Sequence, residues 1–335
     1  MILAAGFGTR LGPLTRVRPK PMLPICGASL VRWSVLWLRA QGVREIVVNL
    51  HHLGDQIVQD LGDGSGLEVD IAYSNEAGSI LGTGGGLRQA RALLDDGHDS
   101  PIIVANGKIL VDLDLGPALA AHRGAGREAT MVMRDDAEGV WGGSLAPDAD
   151  DPGVLATFLG ETRPGATPGP KTMFTGIHIM QPRFLDRVPP SGEQCIVRTA
   201  YRELFRDSEQ RVGVHLHPGY WWEHSTPERY LAGIRNVLDG RVDLPWAQRP
   251  VVGVDPHAVV DPSARIVDPV FIGPGARIGA FAVIGPHSQV GAGARVGAGV
   301  QIVRSAVWPG AEAHADLTDA VCVPDPRSRP EHPRV

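Results

Sequence analysis

Residues 270–302 read VFIGPGARIGAFAVIGPHSQVGAGARVGAGVQI and put a large aliphatic side chain at every sixth position. Followed back toward the N-terminus, the same register takes in Val254, Val260 and Ile266 before Ile272, Ile278, Ile284, Val290, Val296 and Ile302. Ala258, Ala264, Val270, Ala276, Ala282, Ser288, Ala294 and Val300 stand two positions ahead of the next aliphatic, and glycine follows it at 273, 279, 285, 291 and 297. A chain that is 43% apolar does not produce such a run by chance. One large aliphatic, one small residue and one turn glycine per hexad specify a coil of short flat strands. The aliphatic points into a narrow prism, and the small residue sits where the chain turns. Ordinary hairpins would alternate with a period of two between irregular turns. Three hexads per coil give an expectation of about three coils.

Before residue 240 the texture differs. Short apolar runs alternate with amphipathic stretches: strands are expected at 2–4, 45–49, 67–73 and 102–106, with helices at 29–41, 54–61 and 85–94. This alternation predicts a parallel sheet with helices on both faces. Further strands are expected at 129–134, 154–159, 173–180 and 212–217, and helices at 197–205 and 227–238. Ser225 and Thr226 ahead of Pro227 form a good helix start. The domain reading is 1–240 for the α/β part, 241–250 as linker, 251–325 for the β-helix and 326–335 as tail.

Composition narrows the function. A net charge of −5 offers no cationic face for a nucleic-acid backbone or an anionic membrane. Three scattered cysteines make neither a disulfide framework nor a zinc cluster. No apolar run approaches the ~20 residues of a membrane span. MILAAGFGTR has no charged n-region, so a cytoplasmic protein is expected. An acyltransferase, suggested by the β-helix alone, normally carries its histidine on a protruding loop, and the repeats from 254 to 302 run without insertion.

The chemistry is concentrated near the start. The first strand runs into Leu3-Ala-Ala-Gly-Phe-Gly-Thr-Arg-Leu-Gly-Pro-Leu-Thr15, followed by Arg18-Pro-Lys-Pro-Met22. Gly6 and Gly8 let backbone N–H groups approach phosphate oxygens with no Cβ in the way. Arg10 offers a fork of donors to a polyphosphate, and Lys20, held between two prolines, supplies a point charge at a stiff position. The spacing fits neither a Walker loop nor a dinucleotide fingerprint.

These residues resemble the signature of the sugar-1-phosphate nucleotidyltransferases, which include mannose-1-phosphate guanylyltransferases and N-acetylmuramate-1-phosphate uridylyltransferases. The resemblance extends through Asn49–His52, Leu81-Gly-Thr-Gly-Gly-Gly-Leu87, Asn106-Gly107, Phe174–His178, Tyr220–Pro227 and the repeat tail. It implies a Rossmann-like α/β/α nucleotidyltransferase domain followed by a left-handed parallel β-helix. It also implies a reaction in which a sugar 1-phosphate oxygen attacks the α-phosphate of an NTP and pyrophosphate leaves. No protein nucleophile is needed; catalysis is positioning and neutralisation of phosphate charge. By the same resemblance, Leu3, Ala4, Ala5, Gly6 and Asn106 would line the nucleotide, and Gly84 and Gly85 would let the base lie against backbone. Gly8, Thr9 and Arg10 would hold the triphosphate and Lys20 the reacting phosphates. Thr175 and Gly176, with His178, would edge the sugar pocket, and Glu161 loosely matches a sugar-binding Glu-Lys-Pro segment. The tail points to GTP and mannose 1-phosphate, and exposed coil faces suggest a homo-oligomer through the β-helix or sheet.

One departure stands out. The resemblance implies a magnesium-binding Asp after Asn106-Gly107, but Lys108 stands there. A second carboxylate is implied in Trp-x-Asp-x-Gly-Thr-Pro, and here Trp221-Trp-Glu-His-Ser-Thr-Pro227 offers Glu223. A lysine at a metal position reverses the local charge. Three readings stand: the Lys108 ammonium neutralises the phosphates in place of Mg²⁺; Asp112 or Asp114 rebuilds a shifted metal site with Glu223; or the chain is a regulatory paralogue that binds nucleotide or NDP-sugar without turnover.

Overall fold

The computed structural model describes residues 1–76 and 78–325; the expected tail at 326–335 lies outside them. The chain packs as two units. One comprises Met1–Gly6, Trp37–Gly107 and Val111–Trp221, and the other Phe7–Leu36, Lys108–Leu110 and the chain from Trp222 onward.

The first unit is built on a seven-stranded sheet of β1 (Ile2–Leu3), β2 (Glu45–Leu50), β3 (Asp70–Asn75), β4 (Ile102–Asn106), β5 (Ala129–Asp135), β6 (Thr172–Met180) and β7 (Gly213–Leu216). Its order is β3-β2-β1-β4-β6-β5-β7. β1 runs parallel to both β2 and β4, while β6 is antiparallel to β4 and β5. The expected parallel sheet thus carries one reversed strand. Strand order turns back at the β1–β4 junction, the place where open α/β sheets leave a crevice beyond the strand carboxyl ends. Helices Gly54–Leu61 and Leu115–Gly124 border the sheet strands in sequence, and the core gathers Leu87, Val104, Met131, Met133, Phe184 and Tyr201.

Three elements differ from expectation by more than two residues or in kind. Glu68 takes a left-handed conformation after a 3-10 turn at Ser65–Leu67, so β3 starts at Asp70 rather than 67. The helix expected from Gly85 begins at Gly82, because Leu81 N–H is held by Glu76 Oε2 and Gly84 N–H by the Gln194 carbonyl. Tertiary bonds overcome the glycines' poor helix propensity. The segment expected as helix 197–205 makes a π turn at Val197–Tyr201 before α-helix at Arg202–Arg206.

In the second unit the hexads form a left-handed β-helix with three parallel faces. Val254 pairs with Ile272, Val260 with Ile278 and Ile266 with Ile284, one eighteen-residue coil apart. Ile272, Ile284, Val290 and Ile302 are fully buried, as are the small Ala276, Ala282, Ser288 and Ala294. The coils number more than the three expected: one face stacks five strands, the last at Val321–Cys322. Helix Pro227–Leu238 precedes it, capped by the Thr226 hydroxyl accepting from Arg229 N–H. Among the described residues no helix is long and apolar enough to cross a membrane.

Candidate active site

Within the second unit, four cations surround one carboxylate. Gly8 takes φ +68°, and the chain turns through the 3-10 helix Thr9–Leu11. Leu11 is fully buried, which leaves Arg10 directed outward with its side chain 58% exposed. A Cβ on Gly8 would lie 2.9 Å from Thr15 and 3.2 Å from Lys20, so glycine is what lets the loop close over the lysine stem. Lys20 opens a second 3-10 turn, Lys20–Met22, between Pro19 and Pro21. Lys108 Nζ bonds Glu223 Oε2. Arg229 Nη1 lies 2.9 Å and Arg10 Nη2 4.0 Å from Glu223 Oε1, which also accepts from the Ser225 hydroxyl at 2.6 Å.

The electrostatics follow from this crowding. Burial alone would raise the Glu223 pKa, but the Lys108 ammonium, the Ser225 hydroxyl and Arg10 hold it down at about 2. Burial, with Lys108 and Arg10 against Glu223, lowers Lys20 to about 8. His224 is buried, and desolvation lowers it to about 4, so it is neutral at pH 7. Its backbone N–H donates to the Lys108 carbonyl at 3.0 Å, and its Nδ1 lies 3.2 Å from the same oxygen. His224 therefore fixes the backbone from which Lys108 projects.

This donor set does not suit magnesium. Mg²⁺ demands near-octahedral oxygen ligands, and each oxygen of the single carboxylate already faces a cation. Asp112 belongs to the first unit and sits with His217 Nε2 3.2 Å from its Oδ1. Asp114 caps the helix Leu115–Gly124 by accepting from Gly116 N–H at 2.9 Å. Among the described residues, no three His, Cys, Asp or Glu side chains converge so as to hold a metal ion.

The first unit carries a buried polar chain at the end of β1. Ala4 N–H donates to Asn49 Oδ1 at 2.6 Å, Asn49 Nδ2 to Glu76 Oε1 at 2.7 Å, and Leu81 N–H to Glu76 Oε2 at 2.8 Å. It ties the strand end that leads into the glycine loop to the start of the Gly82–Gln89 helix. At the end of β4, Asn106 packs against Gly176, whose φ of +82° belongs to a bulge in β6 between Phe174 and Ile177. A Cβ on Gly176 would collide with the Asn106 amide.

Comparison with known proteins agrees with this layout. Residues 1–156 match the nucleotidyl transferase family and residues 269–304 the bacterial transferase hexapeptide repeat. The N-acetylmuramate alpha-1-phosphate uridylyltransferase of Neisseria meningitidis serogroup B is 34% identical over 68% of this chain and 92% of its own length. The mannose-1-phosphate guanylyltransferase of Mycobacterium tuberculosis is 29% identical over 82% of this chain and 74% of its own. The solved structure of HddC from Yersinia pseudotuberculosis superposes with a TM-score of 0.55 at 24% identity, covering 70% of this chain and 97% of that one. The chain belongs to the sugar-1-phosphate nucleotidyltransferases.

As a nucleotidyltransferase it arranges the expected residues in separate groups. Arg10, Lys20, Lys108 and Glu223 come together with Gly8 and Thr9 at the head of the same loop. Leu3, Ala4, Ala5 and Gly6 follow the β1 backbone beside Asn49. Gly84 and Gly85 are buried under the segment at 192–196: both N–H groups point to the Gln194 carbonyl, at 2.7 and 3.4 Å. Thr175 is also turned inward, its hydroxyl donating to the Val132 carbonyl at 2.7 Å. His178 lies in the core with Nδ1 3.1 Å from the Tyr201 hydroxyl, and burial lowers it to about 3. Glu161 pairs with Arg206 and Arg202, which hold its pKa at about 2. Glu76, His224 and Arg229 are the site residues that sequence reading passed over. A glutamate just after a strand end and just before a glycine-rich helix start was the available signal for Glu76; that it is buried came only from the structure.

Proposed function

We propose that this chain transfers a guanylyl group from GTP to mannose 1-phosphate, releasing GDP-mannose and pyrophosphate, and that Lys108 supplies the charge neutralisation a bound metal would otherwise give. The sugar phosphate oxygen attacks the α-phosphorus, the α–β bridging P–O bond breaks, and its electron pair leaves with pyrophosphate. Arg10 holds the outer phosphates, Lys20 and Lys108 face the charge that develops at the reacting phosphate, and Glu223 with His224 holds Lys108 in place. The carrying observation is the Lys108–Glu223 pair beside Lys20 and Arg10, a site that keeps net positive charge without a metal.

The choice of GTP and mannose rests on the repeat tail and on the likeness to the Mycobacterium guanylyltransferase; the likeness to the Neisseria uridylyltransferase makes UTP the rival base. Lys108 in place of a carboxylate also favours a second reading, a regulatory paralogue that binds without turnover. Pyrophosphate release, measured over four NTPs and a panel of sugar 1-phosphates with and without Mg²⁺, separates these. Release that is largest with GTP and mannose 1-phosphate and persists in EDTA supports the proposal. Tight GTP binding with no release from any pair supports the regulatory reading.

A further inference from the structure

The β-helix reaches the loop that carries Lys20 through a closed set of buried bonds. Gln289, on the coil strand Ser288–Val290, is buried although its neighbour Val290 is the residue that fills the prism. Its Oε1 accepts from Cys26 N–H at 2.9 Å; its Nε2 donates to the Pro24 carbonyl at 2.8 Å and to the Tyr230 hydroxyl at 3.0 Å. The Tyr230 hydroxyl donates to the same Pro24 carbonyl at 2.7 Å and accepts from Trp308 Nε1 at 3.0 Å. Trp308, also of the coil and fully buried, lies under the Arg18 guanidinium, 5.8 Å from its ring centroid. Phe271, a third coil residue, is packed so closely on Gly27 that a Cβ there would lie 3.1 Å from its ring.

Arg18 and Pro24 bracket Lys20 in sequence, and what lies between them is stiff. Pro19, Pro21 and the 3-10 turn, closed by Met22 N–H to the Pro19 carbonyl and Leu23 N–H to the Lys20 carbonyl, leave few soft torsions. Coil residues thus hold the chain on both sides of the lysine. A surface-docked accessory domain has no need of an amide whose groups are spent on one backbone turn, because buried polar groups are costly unless fully paired.

We propose that Gln289 and Trp308 are positioning residues for nucleotidyl transfer: through Pro24, Tyr230 and Arg18 they set where the Lys20 ammonium stands in the cationic cluster. The inference rests on the role given to Lys20 above. Displacing a charged group by about 1 Å is enough to cost up to ~100-fold in rate.

The test is a double-mutant cycle on the full chain. Gln289→Leu removes the amide at similar size, and Trp308→Phe removes the N–H and weakens the ring's hold on Arg18; Lys20→Ala is the other arm. Unfolding temperature shows that each variant folds, and Ile278→Val, a change elsewhere in the coil, serves as the control for general destabilisation. Expected are a fall of about 10- to 100-fold in kcat for Gln289→Leu with KM for GTP changed less, a smaller fall for Trp308→Phe, and no further loss when either is added to Lys20→Ala. A merely structural role would add in the double variants and would appear in Ile278→Val too. If Gln289→Leu and Trp308→Phe fold and turn over like wild type, or if their losses add to that of Lys20→Ala, the positioning role is overturned while Lys20 keeps its own. If Lys20→Ala alone is indistinguishable from wild type, the assignment of Lys20 falls first, and the positioning role with it.

Discussion

An ammonium and a magnesium ion neutralise phosphate differently. The metal brings two charges and can bridge two oxygens by inner-sphere coordination; Lys108 brings one charge on a stem held by Glu223. Lys108→Asp is therefore expected to make turnover dependent on added Mg²⁺, and Lys108→Ala to weaken GTP binding about 10- to 100-fold, the scale of one charge-assisted hydrogen bond. Titration calorimetry and rates in EDTA check both. Strict Mg²⁺ dependence in the wild type, with Lys108→Ala unchanged, would overturn the role given to Lys108. Lys20 predicts a pH dependence of definite sign. Burial and the neighbouring Lys108 and Arg10 lower its pKa to about 8, with Glu223 opposing, so the free enzyme loses this charge as pH rises through 8. KM for the NTP should rise above that pH, and binding there should take up protons, because the triphosphate stabilises the ammonium. Calorimetry in buffers of different ionisation enthalpy reads the uptake. Lys20→Arg, which stays charged, should flatten the alkaline limb.

At the level of elements, the hexad shows how one sequence position acquires different weights. Ile284 and Val254 occupy the same place in the repeat, yet Ile284 is fully buried and Val254, on the first coil, is 45% exposed. Ile284→Ala is expected to cost about 2–5 kcal/mol in urea unfolding and Val254→Ala about 0.5 kcal/mol or less. Equal effects would mean that the first coil is covered. The repeat was readable because each hexad makes its own turn and meets the next at a constant spacing. Its last coil was not: Val290 pairs with Val307 and Ile302 with Leu317, closer in sequence than the eighteen residues of Val254 and Ile272, so the six-residue register lapses while the ladder continues. The bulge at Thr175–Gly176 was equally hidden. Alternation along β6 reads as an unbroken strand, and only the approach of Asn106 demands a glycine at φ +82°.

For the molecule as a whole, the packing units do not follow the order of the chain: the Phe7–Leu36 segment and Lys108–Leu110 belong with the β-helix. A chain ending at Gly240 would leave Cys26 N–H, the Pro24 carbonyl and the Tyr230 hydroxyl without their coil partners. It is expected to lose GTP binding together with cooperative unfolding, followed by calorimetry and tryptophan fluorescence. Retention of both would mean that the segment at 7–36 is held without the coil. The α/β alternation, the coil and the cations Arg10 and Lys20 were legible from residue order, because period, glycine spacing and proline stiffness act over a few neighbours. The anomaly at Lys108 was legible too. That Lys108 closes on Glu223 with Arg10 and Arg229, that Thr175 and His178 turn into the core, and that Gln289 and Trp308 hold the Lys20 turn came from the folded chain alone. Arg229 apart, which lies six positions from Glu223, each of these depends on groups from 23 to about 290 positions apart brought within hydrogen-bond or ring-stacking range, a distance over which no local pattern carries information.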